Sequence, residues 1–229
     1  MTPLPFRTVA FDLDGTLADT SPDIAAALNK VLGAFGRPAI PAEQVRGMIG
    51  DGAKALLRRA LAATGEAREE LVDEAYPLYL DFYAADICGG TVLFPGVEAA
   101  LDELAAAGVA LALCTNKPER LTTLLLEALG WQRRFASVVG GDTLPSRKPD
   151  PAMLHEAIAR AGGGPAAFVG DTIVDAETAR AANLPFVAVS FGFLDRPVEA
   201  LGADLVIDTF SDLPGALAQL AARNDLSSR

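Results

Sequence analysis

The sequence has few of the features that mark membrane proteins or disulfide-bonded scaffolds. Only two cysteines, Cys88 and Cys114, occur in 229 residues, which is too few for a disulfide framework. No apolar run approaches the ~20 residues that a membrane-spanning helix needs. Residues 1–5 lack the charged and apolar regions of a signal peptide. We therefore expect a cytoplasmic protein with free thiols and no membrane partner.

Basic residues are also scarce. The chain has 19 Lys and Arg against 30 Asp and Glu, a formal net charge of -11. Such a surface repels polyanions, so nucleic acid is excluded as a partner. The same surface repels a phosphorylated metabolite at long range, so a site for such a substrate must be locally positive. The sequence leaves open whether the protein is a monomer or a homodimer.

The order of predicted elements divides the chain into two parts. Residues 7–13 form a predicted strand, and residues 19–91 read as helices only, with a break or kink at Pro77. Beyond them strands and helices alternate, which predicts a doubly wound parallel sheet. The predicted fold class is therefore α/β, with a Rossmann-like core formed by residues 1–18 and 92–229. Residues 19–91 form an inserted all-α helical cap.

Two aspartates follow the first predicted strand. Asp12 and Asp14 stand one residue apart, directly before Gly15. Two like charges ~4 Å apart cost about 4 kcal/mol at an effective dielectric of ~20, so a cation or a chemical role must offset their repulsion. An ordinary turn that favours Asp and Gly also explains this triplet when it is taken alone.

Each later strand also ends in polar residues, although each such signal has an ordinary explanation. Thr115 and Asn116 fit a helix N-cap, Lys148 fits a solvated loop, and Asp171 and Asp175 fit the first turn of a helix. In open α/β sheets, ligands bind beyond the carboxyl ends of the strands. We therefore expect these side chains to meet there, with the helical insertion as a lid.

Taken in order, these motifs are more specific than any one of them. They are FDLDGTL at 11–17, TNKP at 115–118, KPDP at 148–151 and GDTIVD at 170–175. This order resembles the haloacid dehalogenase-like superfamily over nearly the whole chain. Within the superfamily it is most similar to the phosphoglycolate phosphatases with a helical cap between the first two motifs. The segment GDGAK at 50–54 also resembles the glycine-containing cap loop of that family.

The resemblance implies a phosphatase that hydrolyses a small phosphate monoester, with 2-phosphoglycolate as the expected substrate. Asp12 would attack phosphorus and form an aspartyl phosphate, and Asp14 would be the general acid and base. Expected ligands of a Mg²⁺ cofactor are Asp12, the backbone carbonyl of Asp14, and Asp171, with Asp175 orienting the surrounding groups. Groups expected to hold the phosphoryl oxygens are Thr16, Thr115, the Asn116 amide and the catalytic Lys148.

The cap is expected to select the substrate. Its candidate cations near the glycine loop are Arg46, Lys54, Arg58 and Arg59. Helical spacing also allows the last three to form a solvated face. We expect Lys54 to bind the substrate, because it follows the flexible segment 50–52.

Asp14 also narrows the reaction. By the resemblance, dehalogenases lack an acid at this position and phosphonate-cleaving members have a small residue there, so phosphate-ester chemistry is favoured. Phosphosugar mutases of the β-phosphoglucomutase type share the acid and stay an alternative. A pyrophosphatase of the same fold is a further alternative, and a non-catalytic module that binds a phosphorylated ligand is a third.

Overall fold

The computed structural model describes residues 6–227 and the side chains of residues 6–222. Residues 1–5, which entered the signal-peptide argument, lie outside this range. The strands are β1 Thr8–Phe11, β2 Ala18–Asp19, β3 Val92–Leu93, β4 Ala110–Cys114, β5 Ser137–Val139, β6 Ala166–Gly170, β7 Phe186–Val189 and β8 Leu205–Ile207. The α-helices are α1 Ser21–Ala34, α2 Ala42–Arg46, α3 Ala53–Thr64, α4 Glu69–Ala85, α5 Val97–Ala106, α6 Glu119–Ala128, α7 Ala152–Arg160, α8 Ile173–Ala181 and α9 Leu213–Ser227.

Six of the strands form one parallel sheet in the order β5-β4-β1-β6-β7-β8. The first strand, β1, lies in the middle, with Thr8 opposite Ala110 of β4 and Ala166 of β6. Parallel neighbours require crossover connections, and most of these crossovers are helices on the faces of the sheet. The predicted doubly wound α/β fold is therefore confirmed. Its topology puts the carboxyl end of β1 at the centre of one edge of the sheet.

Both faces of the sheet are covered, because successive side chains of a strand point to opposite sides. Val9 and Phe11 belong to the hydrophobic cluster on one face, which includes residues of α5 and α9. Ala10 belongs to the cluster on the other face, with residues of α7 and α8. This two-sided burial explains why β1 reads as a continuous apolar run.

The helices α1, α3 and α4 have a hydrophobic cluster of their own. Leu28, Leu57 and Tyr83 are almost completely buried in it. Leu121 of α6, a helix of the sheet layer, belongs to the same cluster, so the helical insertion packs directly against the core. The insertion is the helical cap that the sequence predicted, and its limits at 18/19 and 91/92 stay a prediction.

The structure differs from the predicted cap in two details. Residues 19–91 are not all helical, because Asp19 pairs with Val92 in a short antiparallel ladder where the chain leaves and re-enters the core. Pro77 does not break its helix, since α4 continues through it; a kink at Pro77, the other expectation, stays a prediction. Proline removes one helical hydrogen bond, but the burial of Tyr79 and Tyr83 on the same helix favours the helical path. In the part of the chain that is described, no helix is long and apolar enough to cross a membrane.

Candidate active site

The carboxyl end of β1 places two acids at the centre of the sheet edge. The Asp12 N–H donates to the Val169 carbonyl at 2.9 Å, which continues the ladder with β6. The turn that follows requires Gly15, whose φ is +87°, a conformation that glycine adopts without strain. A Cβ at Gly15 would also collide with the Asp171 carboxylate. The turn therefore lets the strand ends of β1 and β6 approach closely.

Lys148 joins Asp12 to Asp175 in the first turn of α8. Its Nζ lies 2.9 Å from Asp12 Oδ1 and 2.7 Å from Asp175 Oδ1, and its side chain is only 1% exposed. Burial alone would lower the pKa of Lys148, but Asp12 and Asp175 raise it above its ordinary value. The ammonium therefore stays charged beside the acids.

Asp171 and Asp175 are held by different donors. Asp171 accepts hydrogen bonds from the Thr16 hydroxyl and from the Phe193 N–H, both at 2.7 Å. Asp175 Oδ2 accepts from the backbone N–H groups of Asp171 and Thr172 and from the Thr172 hydroxyl, which forms a capping box at the start of α8. With Lys148 on its other oxygen, Asp175 is suited to orient its neighbours.

The acids at this edge form a site that fits a divalent cation. Asp12, Asp171 and Asp175 each offer a carboxylate oxygen, and these atoms lie within 4.8 Å of one another. Counted with Asp14, four carboxylates share the site with the ammonium groups of Lys117 and Lys148, so two negative charges are in excess when all four acids are ionised. Carboxylate oxygens are the ligands that hard divalent cations prefer.

The electrostatics of the two most buried acids agree with this fit. Burial, together with the neighbouring Asp175 and Asp14, raises the pKa of Asp12 to about 6, against the opposing effect of Lys148. Burial followed by Asp175 and Asp12 raises the pKa of Asp171 well above its ordinary value. Both carboxylates are thus unfavourable as anions in the metal-free protein, and a bound cation would stabilise the charged forms.

Asp14 is the acid that faces the cleft between core and cap. It accepts a hydrogen bond from the Thr20 hydroxyl at 2.7 Å and from Lys117 Nζ at 3.0 Å. The same Nζ donates to the Tyr83 hydroxyl of α4 at 2.7 Å. Burial lowers the pKa of Lys117, although Asp14 opposes this shift. One ammonium thus connects the acid of the core to a tyrosine of the cap.

The cleft between core and cap has walls from both parts of the chain. The core side includes Asp12, Asp14, Thr115, Asn116 and Lys117. The cap side is mostly apolar and is lined by Ile24, Ile49, Gly50, Gly52, Ala53, Leu56, Tyr79 and Tyr83. The arrangement fits a small molecule whose charged end lies against the core.

Thr115 and Asn116 begin the loop after β4. The Thr115 N–H donates to the Val139 carbonyl, and the Thr115 hydroxyl accepts from the Lys117 N–H at 3.2 Å. The Asn116 side-chain amide donates to the carbonyls of Lys148 and Gly50, both at 3.1 Å. Asn116 therefore ties the glycine loop of the cap to the loop that carries Lys148.

The structure brings together most of the residues predicted to act in catalysis or binding, with two exceptions. Those at the sheet edge are Asp12, Asp14, Thr115, Asn116, Lys148, Asp171 and Asp175. Thr16, expected at the phosphoryl group, is completely buried and donates to Asp171 instead. Lys54, expected at the substrate, does not line the cleft and pairs with Asp73 at 2.6 Å on the surface. Its position in α3 directs it to α4 rather than to the core.

Sequence reasoning gave no role to two residues at the boundary between core and cap. Lys117 and Tyr83 meet beside Asp14, as described above. Arg46 of α2, one of the candidate cap cations, donates to the carbonyls of Phe191 and Gly192 at 3.3 and 3.2 Å, next to the Phe193 N–H that holds Asp171. Lys117 stands inside the TNKP motif, a signal that could have identified it, whereas nothing local to Tyr83 or Arg46 predicts their partners.

A parallel α/β core with a buried acidic centre and a helical cap agrees with the comparisons with known proteins. The family model of a haloacid dehalogenase-like hydrolase matches residues 6–183. The chain is 44% identical to a phosphoglycolate phosphatase of Caulobacter vibrioides over 93% of its own length and 91% of the relative. It is 40% identical to a phosphoglycolate phosphatase of Agrobacterium fabrum, with 95% of each chain covered.

A solved structure from Haemophilus somnus, of a predicted phosphoglycolate phosphatase, superposes with a TM-score of 0.86 at 30% identity. The superposition covers 93% of this chain and 98% of that chain. The chain therefore belongs to the haloacid dehalogenase-like hydrolase family. The structural likeness extends through the cap as well as the sheet.

Proposed function

We propose that this protein is a Mg²⁺-dependent phosphatase of a small phosphate monoester, 2-phosphoglycolate, acting through an aspartyl phosphate. One observation carries the proposal: Asp12 and Asp14 line the same small cleft, with Lys148 on Asp12 and an acidic cluster that fits a divalent cation beside it. The relatives named phosphoglycolate phosphatase support the choice of substrate.

In the first step, a carboxylate oxygen of Asp12 forms a bond to phosphorus as the ester bond to the alcohol oxygen breaks. The leaving alkoxide needs a proton, which protonated Asp14 supplies. The Lys148 ammonium, 2.9 Å from Asp12, lies where it stabilises the charge of the transferring phosphoryl oxygens. Thr115 and the Asn116 backbone amide are proposed to hold the same oxygens.

In the second step, Asp14 is a carboxylate and takes a proton from water. The water oxygen bonds to phosphorus, the bond to Asp12 breaks, and inorganic phosphate leaves with Asp12 restored. The first step thus prepares the protonation state that the second step needs. Splitting one difficult displacement into two is the advantage of a covalent intermediate.

Mg²⁺, when bound, neutralises the excess negative charge of the site and of the phosphoryl group. Asp12, Asp171 and the backbone carbonyl of Asp14 are proposed to hold it. Asp175 orients Lys148 by direct contact at 2.7 Å. The cytoplasmic location and the monomeric or homodimeric state stay predictions.

A panel of phosphate esters tests the proposal. We expect Mg²⁺-dependent release of phosphate from 2-phosphoglycolate, abolished by EDTA and restored by added Mg²⁺. Bisphosphate-activated isomerisation of a phosphosugar with little net hydrolysis would favour the mutase instead, and preferred cleavage of pyrophosphate would favour the pyrophosphatase. Tight binding without turnover across the panel would contradict enzymatic function.

A further inference from the structure

The proposed substrate carries a second negative group, and the cap cations expected to bind it are engaged elsewhere. Arg46 pairs with Asp19, Lys54 with Asp73, Arg58 with Glu69 and Arg59 with Asp51. Lys148 is bound between Asp12 and Asp175. Among the described residues that line the cleft, Lys117 alone carries a positive charge. A second anionic group on the substrate therefore has one cation to approach.

One contact of Lys117 is long enough for a substrate oxygen to replace it. Its Nζ donates to both carboxylate oxygens of Asp14, at 3.0 and 3.3 Å, and to the Tyr83 hydroxyl at 2.7 Å, so the longest of its three hydrogen bonds is the one to Asp14 Oδ2. The Tyr83 hydroxyl accepts from Lys117 and so keeps its own hydrogen to donate. Burial raises the pKa of that hydroxyl well above its ordinary value, so the hydrogen is retained at neutral pH. Lys117 and Tyr83 can therefore donate to one carboxylate together.

The position of this pair relative to Asp14 defines where the carboxylate would be. Asp14 is proposed to protonate the ester oxygen, and Lys117 Nζ lies 3.0 Å from Asp14. A group bound to Lys117 is thus within a few bonds of the ester oxygen. The surrounding walls, Ile24, Leu56 and Leu121, are apolar and do not favour a longer polar chain such as a sugar.

We propose that Lys117 and Tyr83 bind a substrate carboxylate attached to the carbon that bears the ester oxygen. The substrate class is then the phosphate esters of small 2-hydroxy acids. This inference rests on the phosphatase function proposed above and assigns the selection of the acid to Lys117 of the core and Tyr83 of α4. The competing explanation is that Lys117 only holds Asp14 in place.

A matched pair of substrates separates these explanations. We would measure kcat and KM for 2-phosphoglycolate and for 2-hydroxyethyl phosphate, which replaces the carboxylate by a neutral alcohol. The wild type should prefer 2-phosphoglycolate, and Lys117→Met should reduce this preference by about 10- to 100-fold. Tyr83→Phe, which keeps the contact between Lys117 and Asp14, should reduce it by about 3- to 10-fold. Both losses should include a higher KM for the acid.

Controls distinguish the ways in which the inference would fail. Lys30→Met removes an exposed cation of α1 and should leave the preference unchanged. Equal losses with both substrates in Lys117→Met, together with an unchanged preference in Tyr83→Phe, would overturn the carboxylate site but not the phosphatase. A wild type that hydrolyses neither substrate would overturn both proposals.

Discussion

The sheet edge and the cap use their charged residues in opposite ways. At the edge, like charges are gathered and buried, with Asp12 and Asp171 in a centre that lacks enough positive charge of its own. In the cap, opposite charges pair on the surface, as Lys54 does with Asp73 and Arg58 with Glu69. Exposed pairs contribute little to stability, whereas gathered buried acids are costly and are retained for a function. The difference locates the chemistry in the core.

The largest effect is expected from the nucleophile at the sheet edge. Asp12→Asn keeps the shape of the side chain but removes the attacking carboxylate, so kcat should fall by about 10⁴-fold or more. Phosphate release under saturating substrate measures this loss. A variant that keeps most of the wild-type activity would show that the sheet edge does not carry the chemistry.

A smaller loss of activity is expected when Asp14, the proposed general acid and base, is replaced. Asp14→Asn leaves Asp12 and the acidic cluster in place but can neither give nor take the proton, so kcat should fall by about 10²- to 10⁴-fold. An aryl phosphate, whose leaving group needs no proton, should lose less activity in the first step. If both ester types lost activity equally in single-turnover measurements, Asp14 would have only a structural role.

Burying these acids together should lower the free energy of unfolding of the metal-free protein. Between about pH 4 and the raised pKa values of Asp12 and Asp171, the folded state binds more protons than the unfolded state. The free energy of unfolding of the metal-free protein therefore falls as pH rises through this window. Asp171→Asn removes one charge and should raise the metal-free Tm at neutral pH by about 3 to 8 °C.

The response to Mg²⁺ gives a second test with the same variant. In Asp171→Asn, the amide oxygen can accept from the Phe193 N–H while the amide nitrogen donates to Thr16, so the local contacts are kept. Mg²⁺ should raise the Tm of the wild type at neutral pH and leave that of the variant nearly unchanged. If the metal-free variant had no higher Tm than the wild type at neutral pH, the claim that the gathered acids destabilise the metal-free protein would be wrong.

The smallest effect is expected in the cap. Lys54→Gln removes an exposed ion pair with Asp73, so kcat/KM for 2-phosphoglycolate should change by less than about 2-fold. A loss of about 10-fold would mean that Lys54 reaches the substrate in a conformation other than the one described. The cap would then contribute a charged residue to the active site, contrary to the difference described between core and cap.

The core was predictable because its information is local. Each strand end carries its own short motif, and parallel topology alone brings Asp12, Thr115 and Asp171 to one edge. The cap was predictable as helical but not in its contacts. Helical spacing restricts Lys54 to one face of α3 without saying what that face meets, and only tertiary packing pairs it with Asp73. The phosphoryl contact of Thr16 stays a prediction, because a hydroxyl beside the acids fits either the substrate or Asp171.

The contacts that sequence reasoning missed join segments that are distant in the sequence. Lys117 and Tyr83 are 34 positions apart, and Arg46 meets a loop 145 positions away. No periodicity or motif within either segment encodes such a meeting. The resemblance to a family supplied roles for the motifs but gave none to Lys117 or Tyr83.

The covalent intermediate is the central claim, and trapping it is the most direct measurement. Wild-type enzyme and Asp14→Asn would be mixed with 2-phosphoglycolate and Mg²⁺, quenched in acid and digested, and the peptide containing Asp12 would be analysed by mass spectrometry. We predict a phosphoryl group on Asp12 in both, in a larger fraction of Asp14→Asn if loss of the base slows hydrolysis of the intermediate more than its formation. Turnover by the wild type with no phosphorylated Asp12 in either protein, or with the phosphoryl group on another residue, would contradict the account.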